Sequence, residues 1–558
     1  MSSSVLRVRW LGRVAYSEAL ALQESIFHNG SDNRLLLLEH PHVFTYGPSA
    51  DLSRNLKCDP TQVGAEFVAV NRGGDITYHG PGQLVGYPLL TLPPKLADSE
   101  GPADSVAYVH SVEQMIIDSL RELGLQDVGT MSKYPGVWVN PNGDNPRKIC
   151  AIGVRVSRRR TMHGFALNVS TDLEYMREHI VPCGISEYSV TSMHEEGVDV
   201  SIKDVADVVS RHAAKLWGNS QLERQDVAWK ESLSDLSAFS RGDGPGQPVR
   251  MMGRLARAGV EGGVDISARK PDWIRPRVHH GAEVLALKKT LRDASLVTVC
   301  EEAGCPNLSE CWSSGTATFM VLGERCTRAC GFCLIDTQKP LDADHHEPKR
   351  VAEAVRKMGL SYAVLTMVAR DDLADGGMEH VAQCVRAIRA NDVSISVETL
   401  ISDVRGTDAL QILIDERPDV LNHNVETVPR LQRAVRPSAG YARSLSVLAR
   451  SKRAGLVTKS GLIVGMGETD DEVVGTLADL AAIGVDIVTI GQYLRPTTHH
   501  LPVARWVEPH VFEMYKEVGE AFGIGHVESS PLTRSSYHAK ESAEHAISAA
   551  VPVSIGVK

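Results

Sequence analysis

No uninterrupted apolar run in this chain approaches the ~18 residues that span a bilayer. The amino terminus, MSSSVLRVRWLGRVAYSEAL, lacks the compact apolar core and small-residue cleavage site of a secretory signal. Neither a membrane association nor export is expected, and the expected location is cytoplasmic. No sign of charge dominates: 59 Lys and Arg stand against 69 Asp and Glu, a formal net charge of -10, which argues against broad nucleic-acid binding. Cysteine is scarce, ten in 558 residues, with Cys58, Cys150, Cys183 and Cys384 scattered and the other six crowded together. That distribution fits metal or catalytic use in a reducing compartment better than a disulfide framework. The length itself predicts two or three domains.

The crowded cysteines form two triplets, CxxxxCxxxxxC (Cys300, Cys305, Cys311) and CxxxCxxC (Cys326, Cys330, Cys333). Each triplet is one thiolate short of the four that usually close a zinc or iron-sulfur site, so each leaves a metal position for another ligand. Iron suits short thiolate spacings, and a cubane held by three cysteines exposes one iron. Zinc or a purely structural cluster is the competing reading.

From Ser232 to Gly263, Gly, Ser, Pro and charge replace any sustained apolar period, which predicts a linker. The expected organisation is a domain over residues 1–230, a linker over 231–263 and a domain over 264–558, with Met251 and Met252 inside the linker. In the second half, six apolar runs (within TATFMVLG, YAVLTMVA, VSISVETL, DVLNHNVET, TKSGLIVGMGET and DIVTIGQYL) alternate with amphipathic stretches. Parallel βα units closing into a barrel or partial barrel follow, and in such barrels chemistry sits at the C-terminal strand ends. CxxxCxxC follows the first run directly. The first half mixes strands (RLLLLEHPHVFTYG, LVGYPLLTL, PGVWVN, ICAIGVRVS) with a helix near VAYVHSVEQMIIDSLRELG, and reads as α+β around a mixed sheet.

The CxxxCxxC spacing is similar to that of radical S-adenosylmethionine (SAM) enzymes. CEEAGCPNLSECW, GERCTRACGFC, ARDDLADGG, NHNVETVPRL, VRPSAGYARSL, TKSGLIVGMGETDDE, TIGQYLRPT, HLPVARWVEP and RSSYHA together resemble the lipoyl synthase family over about Lys270 to Lys540. The resemblance implies a radical SAM partial (β/α)6 TIM barrel carrying two [4Fe-4S] clusters. Cys326, Cys330 and Cys333 would hold the one that cleaves SAM to a 5′-deoxyadenosyl radical. Cys300, Cys305 and Cys311 would hold an auxiliary cluster consumed as sulfur donor, with Ser536 of RSSY as its fourth ligand and Ser535 the alternative. Gly461 to Thr469 resembles the glycine-rich strand end that approaches SAM. Glu398 and Asn424 could meet SAM or the acyl chain, or simply satisfy strand-end hydrogen bonds. The chain departs from the family pattern at Ala329, Gly331, Leu334, Met367 and Ala369, while all proposed cluster ligands are present.

In the first half a lysine and a cysteine stand out, Lys148 in RKICAIGVRV and Cys183 in VPCGI. A thiolate is the nucleophile, and an amine brought beside it can take its proton, so such a pair can transfer acyl groups. EHPHVFTYGPSA, NRGGDITYHGPGQLVGYPLL, KICAIGVRV, HGFALNVSTDL and IVPCGI resemble the lipoyl(octanoyl) transferase family over about Leu6 to Leu216, which implies the biotin/lipoate protein ligase fold. The resemblance implies that Cys183 takes octanoyl from octanoyl-acyl carrier protein as a thioester and passes it to a lipoyl-domain lysine, with Lys148 moving the proton. The segments Arg72, Gly73, Gly74, Asp75, Ile76, Thr77, Tyr78, His79, then Ala151, Ile152, Gly153, then Gly164, Phe165, Ala166 would line the substrate. His79 and His163 are candidates for orienting the thioester or the amine. An ATP-dependent lipoate ligase shares the fold but needs no cysteine nucleophile, so Cys183 argues against it. Intact Cys183, Lys148 and cluster cysteines argue against either half being an inactive docking module.

The two implied reactions are consecutive steps to the lipoyl cofactor. They imply as partners the lipoyl domains of 2-oxoacid dehydrogenase subunits or the glycine-cleavage H protein, and an electron donor such as ferredoxin or flavodoxin.

Overall fold

The computed structural model describes residues 5–95, 101–229, 248–275, 296–298, 307, 311, 315–406 and 408–550. The chain separates into two compact units, Met1–Trp229 and Lys230–Lys558.

The first unit is built on a mixed sheet. Its strands are β1 (Val5–Arg13), β2 (Asn33–Glu39), β6 (Gln83–Leu89), β7 (Val128–Met131), β8 (Tyr134–Val139), β9 (Arg147–Ser157), β10 (Arg160–Asn168), β11 (Ser189–Val190) and β12 (Gln221–Asp226). Their order is β12-β1-β2-β6-β10-β9-β8-β7, with β11 added to β9. The pairs β12-β1, β1-β2 and β9-β11 are parallel and the others antiparallel. All nine residues of β10 are buried, as a central strand covered on both faces requires. Helices Ser105–Glu122 and Ile202–Trp217 pack Val112, Ile116, Val205 and Val209 against Leu35, Leu84, Ile149 and Leu167 of the sheet. The second helix starts at a capping box, Ser201 and Asp204 satisfying each other's backbone N–H. A small sheet of β3 (Val43–Tyr46), β4 (Glu66–Ala69) and β5 (Thr77–His79), ordered β4-β3-β5, carries its own core of Phe44, Tyr78, Leu173 and Met176.

In the second unit, β14 (Thr316–Val321), β15 (Tyr362–Met367), β16 (Ser396–Leu400), β17 (Val420–Asn422), β18 (Val457–Val464), β19 (Ile487–Gln492) and β20 (His526–Ser529) pair in chain order, all parallel. A short β13 (Val297–Thr298) is antiparallel to β14 at one edge. The sheet has seven parallel strands where the apolar pattern predicts six. The extra one, β20, reads HVES, too short and polar to register as an apolar run.

Four side chains are sealed inside this sheet. Lys459 and Glu398 pair at 3.2 Å with both side chains fully buried, and Glu398 also accepts from Tyr362 Oη at 2.9 Å and Asn422 Nδ2 at 2.7 Å. Removing one charge of a buried pair strands the other, which costs ~3–5 kcal/mol. Lys459→Met is expected to destabilise the second unit by about that much, read as faster hydrogen exchange of the β16 and β18 amides. Adding Glu398→Gln should restore most of the loss.

The expected linker over 231–263 is corrected at its far end. Leu255 is buried, Arg430 donates to the Ala258 carbonyl, Val260 packs on Gly467, and the Val264 N–H donates to Val503 O at 2.7 Å. The polar composition hid two apolar anchors, Leu255 and Val260, so the second unit's packed chain includes residues 253–264.

Candidate functional site

Two places gather the candidate residues, one in each unit. In the first, a cavity of about 430 Å³ is lined by both Cys183 and Lys148. Lys148 lies on β9, and β11 pairs beside it in parallel register, Val190 opposite Lys148. The chain reaches β11 through the turn Pro182–Gly184, so this pairing carries Cys183 back to the strand of Lys148. The Cys183 N–H donates to Ile76 O at 2.9 Å, and its backbone is left-handed at φ 57°. Such a conformation is costly for a residue with a Cβ and commonly marks a functional turn. Gly184 follows at φ +68°, where a Cβ would stand 2.9 Å from Asp75 Oδ2. A register shift between Val137 and Trp138 aims β8 so that Lys148 Nζ donates to Pro135 O at 3.0 Å and stands 4.9 Å from the Trp138 ring centre.

Arg72 supplies fixed positive charge to this wall. Its guanidinium donates to Thr45 O and Oγ1 at 2.9 and 3.0 Å. Burial pulls its pKa down, opposed by the fields of Tyr16, Cys183 and other nearby groups. Burial also lowers both imidazoles, His79 well below its ordinary value and His163 to about 4, so both are neutral at pH 7. Gln83 Nε2 donates to Asn168 Oδ1, which turns Gln83 Oε1 toward His79 Nδ1 at 2.8 Å. Nδ1 therefore carries the proton and Nε2 is left as an acceptor.

All the substrate-lining candidates reach this cavity except Ile76 and Tyr78. Strand alternation explains the correction: Thr77 and His79 face the cavity, while Ile76 and Tyr78 point into the small core with Phe44. Among the cavity residues missed by sequence reasoning, Gly184 and Ile185 continue the PCGI motif and were legible there. Tyr87 stands within the NRGGDITYHGPGQLVGYPLL run, whereas Tyr16 and Tyr134 come from other elements and carried no local signal.

The second place is the loop after β14. Cys326 Sγ accepts the backbone N–H of Arg328 at 3.4 Å and of Ala369 at 3.3 Å. Arg328 is buried and staked by Asp371 at 2.8 Å and by Asp403. Burial alone would raise the Asp403 carboxyl, but Arg328 and Arg436 hold it at about 2. Burial raises the Cys326 thiol, and burial with the neighbouring thiolates raises Cys330 to about 11 and Cys333 to about 12. The three thiols thus share one electrostatic neighbourhood, and a cation there displaces their protons. Among the described residues no three His, Cys, Asp or Glu side chains already stand as a closed ligand set. The fit to an iron-sulfur cluster rests on the soft donors, their mutual fields and the N–H···S bonds to Cys326.

The departures from the family pattern leave these main-chain contacts in place. Gly331 donates to Val435 O at 2.8 Å and accepts from Leu501 N at 2.9 Å, while a Cβ there would meet Leu501 Cγ at 2.6 Å. Ala369 acts through its N–H and carbonyl, and Leu334 is exposed.

Cys300 and Cys305 lie outside the described residues. Cys311 is buried, and its N–H donates to Asn307 O at 3.0 Å; Asn307 Nδ2 in turn donates to Leu532 O at 2.8 Å. These two bonds tie Cys311 through Asn307 to the chain just before RSSY. Ser535 Oγ accepts from Asn424 Nδ2 at 2.7 Å. Asn424 therefore meets the RSSY turn, whereas Glu398 is consumed by its buried pair with Lys459. In the glycine-rich strand end, Gly465 and Gly467 adopt φ +100° and +114°, and a Cβ on Gly461 would lie 2.6 Å from Asn424 Oδ1. The glycines are required by backbone shape and close approach.

Residues 15–214 match the family model of the lipoyl protein ligase A/B catalytic domain, and residues 320–480 match that of the radical SAM superfamily. The lipoyl synthase of Rubrobacter xylanophilus is 54% identical over 280 residues, covering 50% of this chain and 87% of that protein. Lipoyl synthase of Mycobacterium leprae is 53% identical over 287 residues, 51% of this chain and 91% of that one. A bi-partite lipoate protein ligase of Thermoplasma acidophilum is similar at 20% identity and a TM-score of 0.34, covering 41% of this chain and 88% of that one. Among the described residues no helix is long and apolar enough to cross a membrane. The chain is a transferase fused to a radical SAM sulfurtransferase of lipoate biosynthesis: it belongs to the lipoyl synthase family through its second half and carries a lipoyl protein ligase A/B catalytic domain in its first.

Proposed function

We propose that the first unit transfers octanoyl from octanoyl-acyl carrier protein to a lipoyl-domain lysine and that the second inserts sulfur at C6 and C8 of the same bound chain. The observation that carries this reading is the convergence of Cys183 and Lys148 on one cavity wall beside the Arg72 guanidinium. Lys148 takes the thiol proton, and the Cys183 thiolate attacks the thioester carbonyl. The acyl-carrier-protein thiolate leaves, and the octanoyl group rests on Cys183. Arg72 favours the thiolate by its charge, and His79 Nε2 accepts a proton from the incoming amine or orients it. The acyl chain lies along the Ala151 to Gly153 and Gly164 to Ala166 segments, with Gly73 and Gly74 admitting it closely.

In the second unit, Cys326, Cys330 and Cys333 would hold one [4Fe-4S] cluster, and Cys300, Cys305, Cys311 and Ser536 would hold another. Support for Ser536 comes from the Asn307 to Leu532 bond and from Asn424, which engages the neighbouring Ser535. When bound, the first cluster would supply the electron for reductive cleavage of SAM, and the second would supply sulfur. The chain's own part is to hold the cysteine loop through Arg328, Asp371 and Asp403. The acceptor is a lipoyl domain of a 2-oxoacid dehydrogenase or the glycine-cleavage H protein, and the electron donor is of the ferredoxin or flavodoxin class.

The test is anaerobic reconstitution with iron and sulfide, followed by octanoyl-acyl carrier protein, an apo lipoyl domain, SAM and reductant. Mass spectrometry of the acceptor should show octanoyl and then lipoyl, without ATP. A strict ATP requirement would make the first unit a ligase and sink the transferase reading. Iron analysis should give about eight irons per chain.

A further inference from the structure

Helix Pro248–Arg257 falls in the stretch whose composition suggests a tether, yet Arg254 and Leu255 in it are 9% and 2% exposed. The helix packs on the short helix Gln432–Val435, and Arg430, just before that helix, donates to the Ala258 carbonyl. Val435 then accepts the N–H of Gly331, the residue after Cys330, at 2.8 Å. Packed main chain therefore runs without interruption from Arg254 to the cysteine loop.

Burial pulls the Arg254 guanidinium down in pKa and the field of Cys330 pushes it up, which puts the two groups within electrostatic reach. Arg436, at the other end of Gln432–Val435, also acts on Cys330 and is itself pinned to Asn424 O and Val425 O at 3.0 Å each. Arg328 adds to the positive side, and Cys326 and Glu426 to the negative. Arg254 differs from the other two arginines in coming from outside the barrel sequence, from the segment that joins the two enzymes.

We propose that Arg254 is a positioning residue for electron uptake: its fixed charge on the Cys330 side favours the reduced form of the cluster held by Cys326, Cys330 and Cys333. The proposal rests on that cluster assignment. In the step, a one-electron donor of the flavodoxin class, or dithionite in the test, loses one electron and the cluster gains it, passing from 2+ to 1+. No bond breaks and no proton moves, because a guanidinium stays protonated throughout. Nearby charge is one of the levers on cluster potentials, and burial strengthens it.

The experiment uses the full chain with Cys300, Cys305 and Cys311 changed to alanine, so that one cluster remains. It is reconstituted anaerobically and titrated by electron paramagnetic resonance at set potentials. With Arg254→Met, the reduced-to-oxidised ratio at a fixed potential should fall roughly fivefold or more, and Arg254→Lys should recover most of it. If the parent chain binds no iron, the cluster assignment is wrong. If it binds about four irons but Arg254→Met titrates as the parent does, the Arg254 proposal alone fails. Should Arg254→Met hold no iron, Arg254→Gln takes its place with the same expected drop. Equal loss of iron in the Lys, Gln and Met variants would show a propping role only and overturn the proposal.

Discussion

Replacing Cys183 by alanine is expected to lower octanoyl transfer by at least about 10³-fold, because in the proposed mechanism the change removes the thiol that carries the acyl group between donor and acceptor. Mixing the variant with donor alone should also abolish the acyl-enzyme adduct, seen as a mass shift of the intact chain. Lys148→Met should cost about 10² to 10⁴-fold at neutral pH, the usual worth of a general base. Full transfer by the Cys183→Ala protein would mean that the lysine amine attacks the donor directly, as in a ligase. Cysteine already carries a Cβ at φ 57°, so alanine brings no new backbone strain to the Pro182–Gly184 turn. Cys183→Ser, which keeps the oxygen analogue of the thiol, is the conservative control. It should remain severely impaired, since a hydroxyl is far less nucleophilic than a thiolate.

The second large effect separates the two cysteine triplets. Cys330→Ala is expected to stop SAM cleavage and lipoyl formation, while octanoyl accumulates on the acceptor at the native rate. Its iron content should fall from about eight to about four per chain. Cys311→Ala should lose the same iron and the same product but still cleave SAM, because in the proposed assignment SAM cleavage belongs to the other triplet. Ser536→Ala should resemble Cys311→Ala more weakly. If both cysteine variants lost SAM cleavage equally, the division of labour between the triplets would be wrong. Both variants should leave the cavity of the first unit untouched, so octanoyl transfer serves as the internal control for folding.

The cysteine spacings, the glycine-rich strand end and the VPCGI turn were legible because each is local. A few consecutive residues set a ligand spacing or a backbone turn, and no distant partner is needed to recognise it. The alternation of apolar runs and amphipathic stretches was likewise enough for a parallel βα unit, since a strand buried on both faces must be apolar along its length. It missed β20, whose four residues carry no such run. Composition misled at residues 253–264 for a related reason: two apolar side chains in a polar stretch can anchor it, and averaging over the stretch dilutes them.

The amino-acid sequence by itself determined which chemistry the chain can do, through residue types at fixed spacings. Only the tertiary structure decided which of those residues meet. Lys148 and Cys183 share a wall because β11 pairs with β9 in one register. Ile76 and Tyr78 are excluded from the cavity by the alternation of side chains in and around β5, and the helix that carries Arg254 docks on Gln432–Val435, whose Val435 carbonyl accepts from Gly331 in the cysteine loop. Strand register and helix docking are set by burial summed over many residues far apart in the chain, so no single stretch of sequence contains them.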